Sequence, residues 1–377
     1  MKVAIVGGGI CGLTLAHLLK QEGVALQVFE QSNPPLGEGA GIILAARALE
    51  VYREIGLTDK LADLGFYIKT LGLKKDTGEI LSAADMTRVK ARFGLSHLAI
   101  HRQQLLKALS HNLEDQIHYG HKLCHWSESD NEISLTFDNG KKHSFDYVVG
   151  TDGVNSQMLT NSFKLPPLRD SGQMCWRGVV NLGKESIDQT GGNFFEYWGT
   201  KGRFGFGPIS NDSVYWFAVT RKEDEGEDWT RIFKKFADPI PEIIRKTPAK
   251  SIIKRPIIDR TPARQWSTER AVLAGDAAHS TTPNMGLGAS IAIESAYILC
   301  KKVVQHGFGS EAFRSYEKER FPVTCQVNRM SYRIGQIAHI KNPILKMVRN
   351  LAMGLSPKDS TSQIIKMQTP VTPLKKR

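Results

Sequence analysis

The stretch Lys2–Gly12, KVAIVGGGICG, constrains the fold of this chain more than any other. KVAIV is a nearly continuous apolar run, as expected of a strand buried on both faces of a parallel sheet. Gly7, Gly9 and Gly12 follow in the order G-x-G-x-x-G and open the segment Ile10–Gln21, where Leu13, Ala16 and Leu19 recur at helical spacing. Glycines there permit a tight turn and let the backbone approach a pyrophosphate, whose charge the helix N-terminus favours. Leu26–Glu30 reads as a second strand, and Glu30 stands 18 residues after Gly12, where a carboxylate can accept from a ribose 2′-hydroxyl. The unit predicts a Rossmann-like α/β domain that holds an adenine dinucleotide.

A second glycine-punctuated loop, GDAAHSTTPNMGLGAS at Gly275–Ser290, follows a buried strand (Ala271–Ala274) and opens a helix expected over Ala289–Val304. No second fingerprint surrounds it. An aspartate at Asp276 can hydrogen-bond polyol hydroxyls, and the N–H groups at Gly286-x-Gly288 suit an anionic or electron-accepting ring edge. A dinucleotide whose far half is a ribityl chain and flavin ring needs both features at a distance from its adenosine end; NAD does not. Both loops are therefore expected to grip one extended FAD.

Between the loops, Arg102–Leu113 reads as a helix, and Arg102 at its start is either a solvated cation or a partner for the cofactor's phosphate or ribose region. Asn139-Gly140 turns a hairpin that leads into a strand over Tyr147–Thr151. Asp152-Gly153 then sits at the carboxyl end of that strand, where ligands bind in open α/β sheets, although an aspartate capping the next turn explains it equally. From Pro166 to Ile258 the pattern becomes β-rich, with NFFEYW, RFGFGP and SVYWFAVT as consecutive aromatic strands. The expected architecture is a discontinuous FAD-binding domain (1–70, 95–165 and 259–330) with a β-rich substrate domain inserted (71–94 and 166–258). C-terminal helices and a basic tail follow (331–377).

Composition excludes other classes. The net charge of +12 invites a nucleic-acid reading, but the basic residues are dispersed and form no zinc-finger or helix-turn-helix pattern, so no nucleic-acid partner is expected. Five cysteines never spaced C-x-x-C point to a reduced, cytoplasmic chain without a structural metal. No apolar run approaches the roughly 18 residues of a membrane span, so stable membrane insertion is not expected. The amphipathic stretch Asn342–Leu355 is expected to pack against the body, with a membrane-surface role as the alternative, and the tail Thr369–Arg377 to fray.

Three ordered stretches, VGGGICGLTLAHLLKQEGVALQVFE, DYVVGTDGVNS and RAVLAGDAAHSTTPNMGLGASIAIESA, together resemble the class A flavoprotein monooxygenases, the p-hydroxybenzoate-hydroxylase-like family. The resemblance spans about residues 1–330, including IIDRTPARQW at Ile257–Trp266. It is nearest the group of urate and salicylate hydroxylases and zeaxanthin epoxidase, with tetracycline-inactivating relatives similar in layout. It implies that Gly12, Glu30 and Gln31 hold the adenosine half, with Arg102 nearby and Leu123 beside the adenine, and Gly7 and Gly9 of the fingerprint count as cofactor-binding residues with them. Gly41 and Ile42 are carried over as further cofactor contacts. Asp276 would bind the ribityl–phosphate region, Gly286, Leu287, Gly288, Ala289 and Ser290 would face the pyrimidine edge, and Asp152 is tied to both flavin and nicotinamide. Three departures affect detail near the flavin and the nicotinamide route: Ala46-Arg47 where Pro-Asn is frequent, no arginine after the Asp-Gly motif, and Ser295 where an aspartate is common.

The chemistry implied by the resemblance begins with NADH or NADPH reducing FAD and leaving. Reduced flavin adds O2 to give a C4a-hydroperoxide, whose distal oxygen passes to an electron-rich aromatic, heteroaromatic or polyene substrate, aromatic or polycyclic. The flavin mediates the chemistry, so no nucleophilic triad is required and none is apparent, and no side chain is singled out as catalytic. Arg177, Arg203 and Tyr215 fall where relatives face substrate, and two arginines suit an anionic or oxygen-rich aromatic. His279 is expected to support the second loop rather than act as a base. A same-fold flavin reductase or dehydrogenase without oxygen insertion is the alternative, and monomer and homodimer both remain open.

Overall fold

A computed structural model of the chain describes residues 1–33, 40–160, 163–224, 228–355 and 357–368. The tail Thr369–Arg377 lies outside the described residues. Lys2–Val6 is the central strand of a five-stranded parallel sheet, ordered Ala271–Leu273, Tyr147–Gly150, Lys2–Val6, Ala25–Phe29, Ile117–His118. Its central place explains the apolar run: Val3, Ala4 and Ile5 are fully buried, with helices covering the sheet. Helices Ile10–Gln21 and Gly288–His306 pack against each other, so the first and the second glycine loop open on neighbouring helices. The Asn139-Gly140 turn forms as expected, with Phe137 N donating to Lys141 O at 3.0 Å and Gly140 at a φ of 79°.

A second, seven-stranded sheet is ordered Ile253–Arg260, Leu168–Asn181, Ser213–Arg221, Gly202–Pro208, Asn193–Trp198, Thr70–Lys75, Ile80–Asp85. Every pairing is antiparallel except Asn193–Trp198 with Thr70–Lys75. The three aromatic strands lie within one residue of their expected limits. Strand alternation divides their side chains. One face carries Trp176, Phe204, Phe206 and Trp216 into a core with Phe233, Phe236, Ile240 and Ile243. The opposite face carries Tyr215, which clusters with Ala40, Ala46 and Ala99 of the first unit.

Two expectations need adjusting. The helix from Arg102 stops at Ser110, where His111 turns extended, three residues before the apolar spacing runs out. Helix Pro343–Leu355 forms, but Ile344, Leu345, Val348 and Leu351 are exposed rather than packed on the body.

Candidate functional site

The first loop is built by exclusion. A Cβ at Gly7 would stand 2.6 Å from Thr151 O, and Gly7 has a φ of 107°, so only glycine fits. A Cβ at Gly12 would stand 2.0 Å from Gly7 O, which presses the helix onto the strand. At Gly9 the same construction meets nothing within 4 Å, so this glycine leaves space rather than filling it. The helix behind it has no side-chain cap and no acidic residue in its first turn, which leaves N–H groups and the positive end of the helix dipole unsatisfied by the protein. Glu30 accepts from Gly8 N at 2.8 Å and from Ser32 N at 2.9 Å, which fixes its carboxylate against the loop. Gln31 is exposed one residue on.

The second loop has the same character. Gly286 has a φ of 65°, nothing stands within 4 Å of its would-be Cβ, and the helix from Gly288 has no side-chain cap and no acid in its first turn. Asp276 is solvent-accessible although protein surrounds it, as a carboxylate facing an interior cleft would be; this enclosure pushes its pKa up, and the charge of Arg102 partly offsets the push. The two loops touch through their helices. Cys11 Sγ lies 3.4 Å from Ala292 O, and a Cβ on Gly275 would stand 2.9 Å from the Cys11 Cβ. Ser290 Oγ accepts from Ala45 N at 3.1 Å, which draws in the strand Gly41–Leu44 with Gly41 and Ile42. Two uncapped helix N-termini, an anchored carboxylate at one end and an enclosed one at the other fit an extended dianionic dinucleotide such as FAD.

Other expected residues are placed differently from one another. Asp152 Oδ2 accepts from Gln157 N at 2.7 Å and Met158 N at 3.3 Å, so it caps the following turn, and burial pushes its pKa up. Leu123 is buried in the core at the start of Leu123–Glu128. Tyr215 lies against Gly41, where a Cβ would stand 2.3 Å from its ring, so the substrate-side sheet and the cofactor-side strand meet there. Burial raises the Tyr215 hydroxyl pKa, which keeps it a protonated donor.

The two arginines differ sharply. Arg203 is buried, donating to Glu196 Oε1 at 2.8 Å, to Gln173 Oε1 at 3.5 Å and to Asn284 Oδ1. Asn284 in turn donates to Thr282 Oγ1 and Ser331 O, so Arg203 ties the second loop to the sheet and to helix Ser310–Ala338. Arg177, half-buried on the same sheet face, has no hydrogen-bond partner among the described residues, although a buried, unpaired Nε is common to both arginines. His279 is buried with Nε2 2.9 Å from Ser295 Oγ, and burial holds its pKa down at about 3. A neutral imidazole engaged this way braces the loop. Arg320 Nε also donates to Ser295 Oγ at 3.1 Å, so Ser295, a departure from the family pattern, joins the two.

Sequence reasoning missed Thr151, whose hydroxyl donates to Val6 O and Gly7 O, and the Gln173–Arg203–Asn284 link. Thr151 could have been found from its place directly before Asp152-Gly153. Gln173 and Asn284 carried no signal.

The family described as FAD binding domain matches residues 1–331. Aurachin C monooxygenase/isomerase of Stigmatella aurantiaca is 33% identical over 384 residues, spanning 99% of both chains. The 2-heptyl-3-hydroxy-4(1H)-quinolone synthase of Pseudomonas aeruginosa is 28% identical, spanning 97% of this chain and 96% of that one. Among solved structures, Klebsiella pneumoniae HpxO complexed with FAD and uric acid superposes with a TM-score of 0.88 at 22% identity, covering 97% of this chain and 95% of that one, a likeness of fold.

Proposed function

This chain belongs to the FAD binding domain family and is an FAD-dependent monooxygenase, and from that premise we propose that it uses NADH or NADPH to insert one atom of O2 into an electron-rich aromatic or heteroaromatic small molecule. The observation that carries the reading is the meeting of two uncapped glycine loops, about 275 residues apart, through Cys11 and Ala292. Bound FAD supplies hydride acceptance and oxygen activation.

The chain's own residues bind and orient. In this reading 1–70, 95–165 and 259–330 hold the cofactor, while 71–94 and 166–258 form the substrate wall. Gly9 and the N–H groups beginning Ile10–Gln21 take the pyrophosphate, Glu30 the ribose, Asp276 the ribityl hydroxyls, and Gly286 to Ser290 the pyrimidine edge. Arg177, half-buried on the sheet face that carries Tyr215, offers its guanidinium end to an oxygen-rich substrate, Tyr215 a hydroxyl donor, and the aromatic wall around them keeps water out. Arg203 acts at one remove, as a positioning residue. The relatives named for 4(1H)-quinolone, 6-hydroxynicotinate and 3-amino-4-hydroxybenzoate chemistry support a ring that carries oxygen or nitrogen.

The test is oxygen uptake by the purified yellow protein with each nicotinamide against quinolones, hydroxypyridines and hydroxybenzoates, with products traced by labelled O2. One compound is expected to accelerate nicotinamide oxidation and to leave with one labelled oxygen. If every compound yields only hydrogen peroxide or an unoxygenated product, the reductase reading replaces this one.

A further inference from the structure

Helix Pro343–Leu355 is mounted with its polarity reversed. Its two cations turn inward. Lys346 Nζ donates to Thr200 O at 3.2 Å, and Arg349 Nη1 donates to Ile337 O at 3.2 Å and Ala338 O at 2.8 Å. Its aliphatic side chains turn outward: Ile344, Leu345, Met347, Val348 and Leu351 are 54% to 66% exposed. Four of them fall at i, i+3, i+4 and i+7, a continuous stripe along one face. On the preceding helix, Ser310–Ala338, Met330 and Ile337 are exposed too, as are Arg329 and Arg333. Single exposed aliphatics are ordinary on a protein surface; a stripe of this length marks an interaction face.

The helix is held in this orientation. Beyond it, Lys358 O accepts from Ala83 N at 2.7 Å and Ser360 N donates to Ala83 O at 3.0 Å, which fastens the chain to the sheet on the far side. Rolling the stripe inward would break the bonds of Lys346 and Arg349.

The sequence that carries the stripe is strongly basic. Residues 329–368 contain seven lysines and arginines and a single acid, Asp359, with Lys341 paired to Glu223, in a chain whose net charge is +12. A second copy of the chain would bring the same positive segment against its like, which disfavours self-association through this face. We propose that the outward face of helix 343–355 docks on an anionic lipid surface, its aliphatic stripe entering the headgroup–acyl boundary while the surrounding cations meet the headgroups. Its 13 residues are too short to cross a bilayer, and no described helix is long and apolar enough to do so. The contact is peripheral.

The experiment is co-sedimentation of the FAD-loaded protein with phosphatidylcholine vesicles and with equimolar phosphatidylcholine–phosphatidylglycerol vesicles. Binding is expected on the anionic vesicles and about tenfold weaker on the neutral ones or at high salt. Val348→Glu with Leu351→Glu is expected to weaken binding by about tenfold or more while FAD content and thermal midpoint stay unchanged. Should that variant lose FAD, Arg329→Glu with Arg333→Glu serves instead and is expected to remove the preference for anionic vesicles. Absence of sedimentation with either vesicle would overturn the proposal. So would equal binding to both, or a dimer in light scattering that Val348→Glu with Leu351→Glu dissociates, since the stripe would then be a self-interface.

Discussion

Gly9 and Gly12 are the same residue three positions apart, and the structure asks opposite things of them. At Gly12 a side chain would collide with Gly7 O and Thr151 Oγ1 at 2.0 and 2.6 Å. Gly12→Ala is therefore expected to destabilise the fold itself by about 1–3 kcal/mol, seen as a lower thermal midpoint even without FAD. At Gly9 a methyl meets nothing, and a φ of −79° suits alanine. Gly9→Ala is expected to leave the apoprotein's midpoint unchanged yet weaken FAD binding about tenfold or more, because the methyl occupies space that a pyrophosphate needs. Wild-type FAD affinity in Gly9→Ala, by titration of flavin fluorescence, would move the phosphate elsewhere. Both glycines were legible from spacing, and their difference was not: a G-x-G-x-x-G string does not say which glycine faces a neighbour and which faces a ligand. The two arginines of the β-rich region repeat the point. Sequence presents Arg177 and Arg203 as equals; the Nε of each is buried and unpaired among the described residues, and the difference is that Glu196, Gln173 and Asn284 occupy the Nη atoms of Arg203 while no hydrogen bond holds those of Arg177. Arg177→Ala is accordingly expected to raise the KM for substrate by about tenfold with the thermal midpoint unchanged, and Arg203→Ala to lower the midpoint as well. The pH dependence of stability also begins at one residue. His279 titrates at about 3 when folded against an ordinary 6.5, so between these values the unfolded chain binds a proton that the folded chain refuses. Stability is whole above pH 6.5 and falls as the pH drops below it, by about 2 kcal/mol at pH 5 from this residue alone. Asp152 and Asp276, raised by burial, act in the opposite sense. The check is the difference between wild type and His279→Asn in denaturant midpoint from pH 7 to 5, which cancels those carboxyls; parallel curves would refute the assignment.

Elements come next, and the decisive pair is Ile10–Gln21 against Gly288–His306. Both start at a glycine loop without a side-chain cap, and their crossing sets where two N-terminal dipoles point. The crossing is close because Cys11, Gly275 and Ala292 are small. Ala292→Leu inserts three carbons there, with an overpacking cost of about 1–3 kcal/mol. If one ligand bridges both loops, this change also loosens FAD at a site where no direct ligand contact is altered. A variant with a lower midpoint and unchanged FAD affinity would mean that the loops bind independently. The strands and these two helices were readable because their apolar periods are strong and their ends carry glycine or a hairpin turn. Ser310–Ala338 was harder to read, since Pro322 lies inside it and its buried positions include Arg320, Asn328 and Ser331, which hold loop carbonyls and hydroxyls rather than a core. Helix Pro343–Leu355 was found by its period and misjudged in direction: periodicity reveals that a face is apolar but not which way it is turned.

At the scale of the whole molecule, the question is how a seven-stranded open sheet avoids pairing with its neighbours. One edge, Ile80–Asp85, would present unpaired backbone groups to solvent. The chain returns from the opposite end to cover it. Lys358 and Ser360 bracket Ala83 in a parallel bridge, Thr361 Oγ1 accepts from Asp85 N at 2.9 Å, and Asp359 pairs with Arg88 at 2.5 Å. Ile364 and Ile365 then pack on the cluster that contains Ala84, Met86 and Val89. This strap lies on the far edge of the sheet from the Leu168–Asn181 and Ile253–Arg260 strands, and among the described residues its hydrogen bonds go to Ser82, Ala83, Asp85 and Arg88 rather than to either glycine loop. Ending the chain at Leu355 is therefore expected to separate stability from cofactor binding. Three backbone-linked hydrogen bonds at about 1 kcal/mol each, together with the lost isoleucine packing, lower the thermal midpoint by several degrees. The bared edge makes the protein aggregate on warming, read by static light scattering, while the FAD bound per chain at low temperature is unchanged. If the shortened protein is instead colourless but monodisperse, the strap supports the cofactor site rather than the sheet edge, and the division of labour between the two ends of the sheet is wrong.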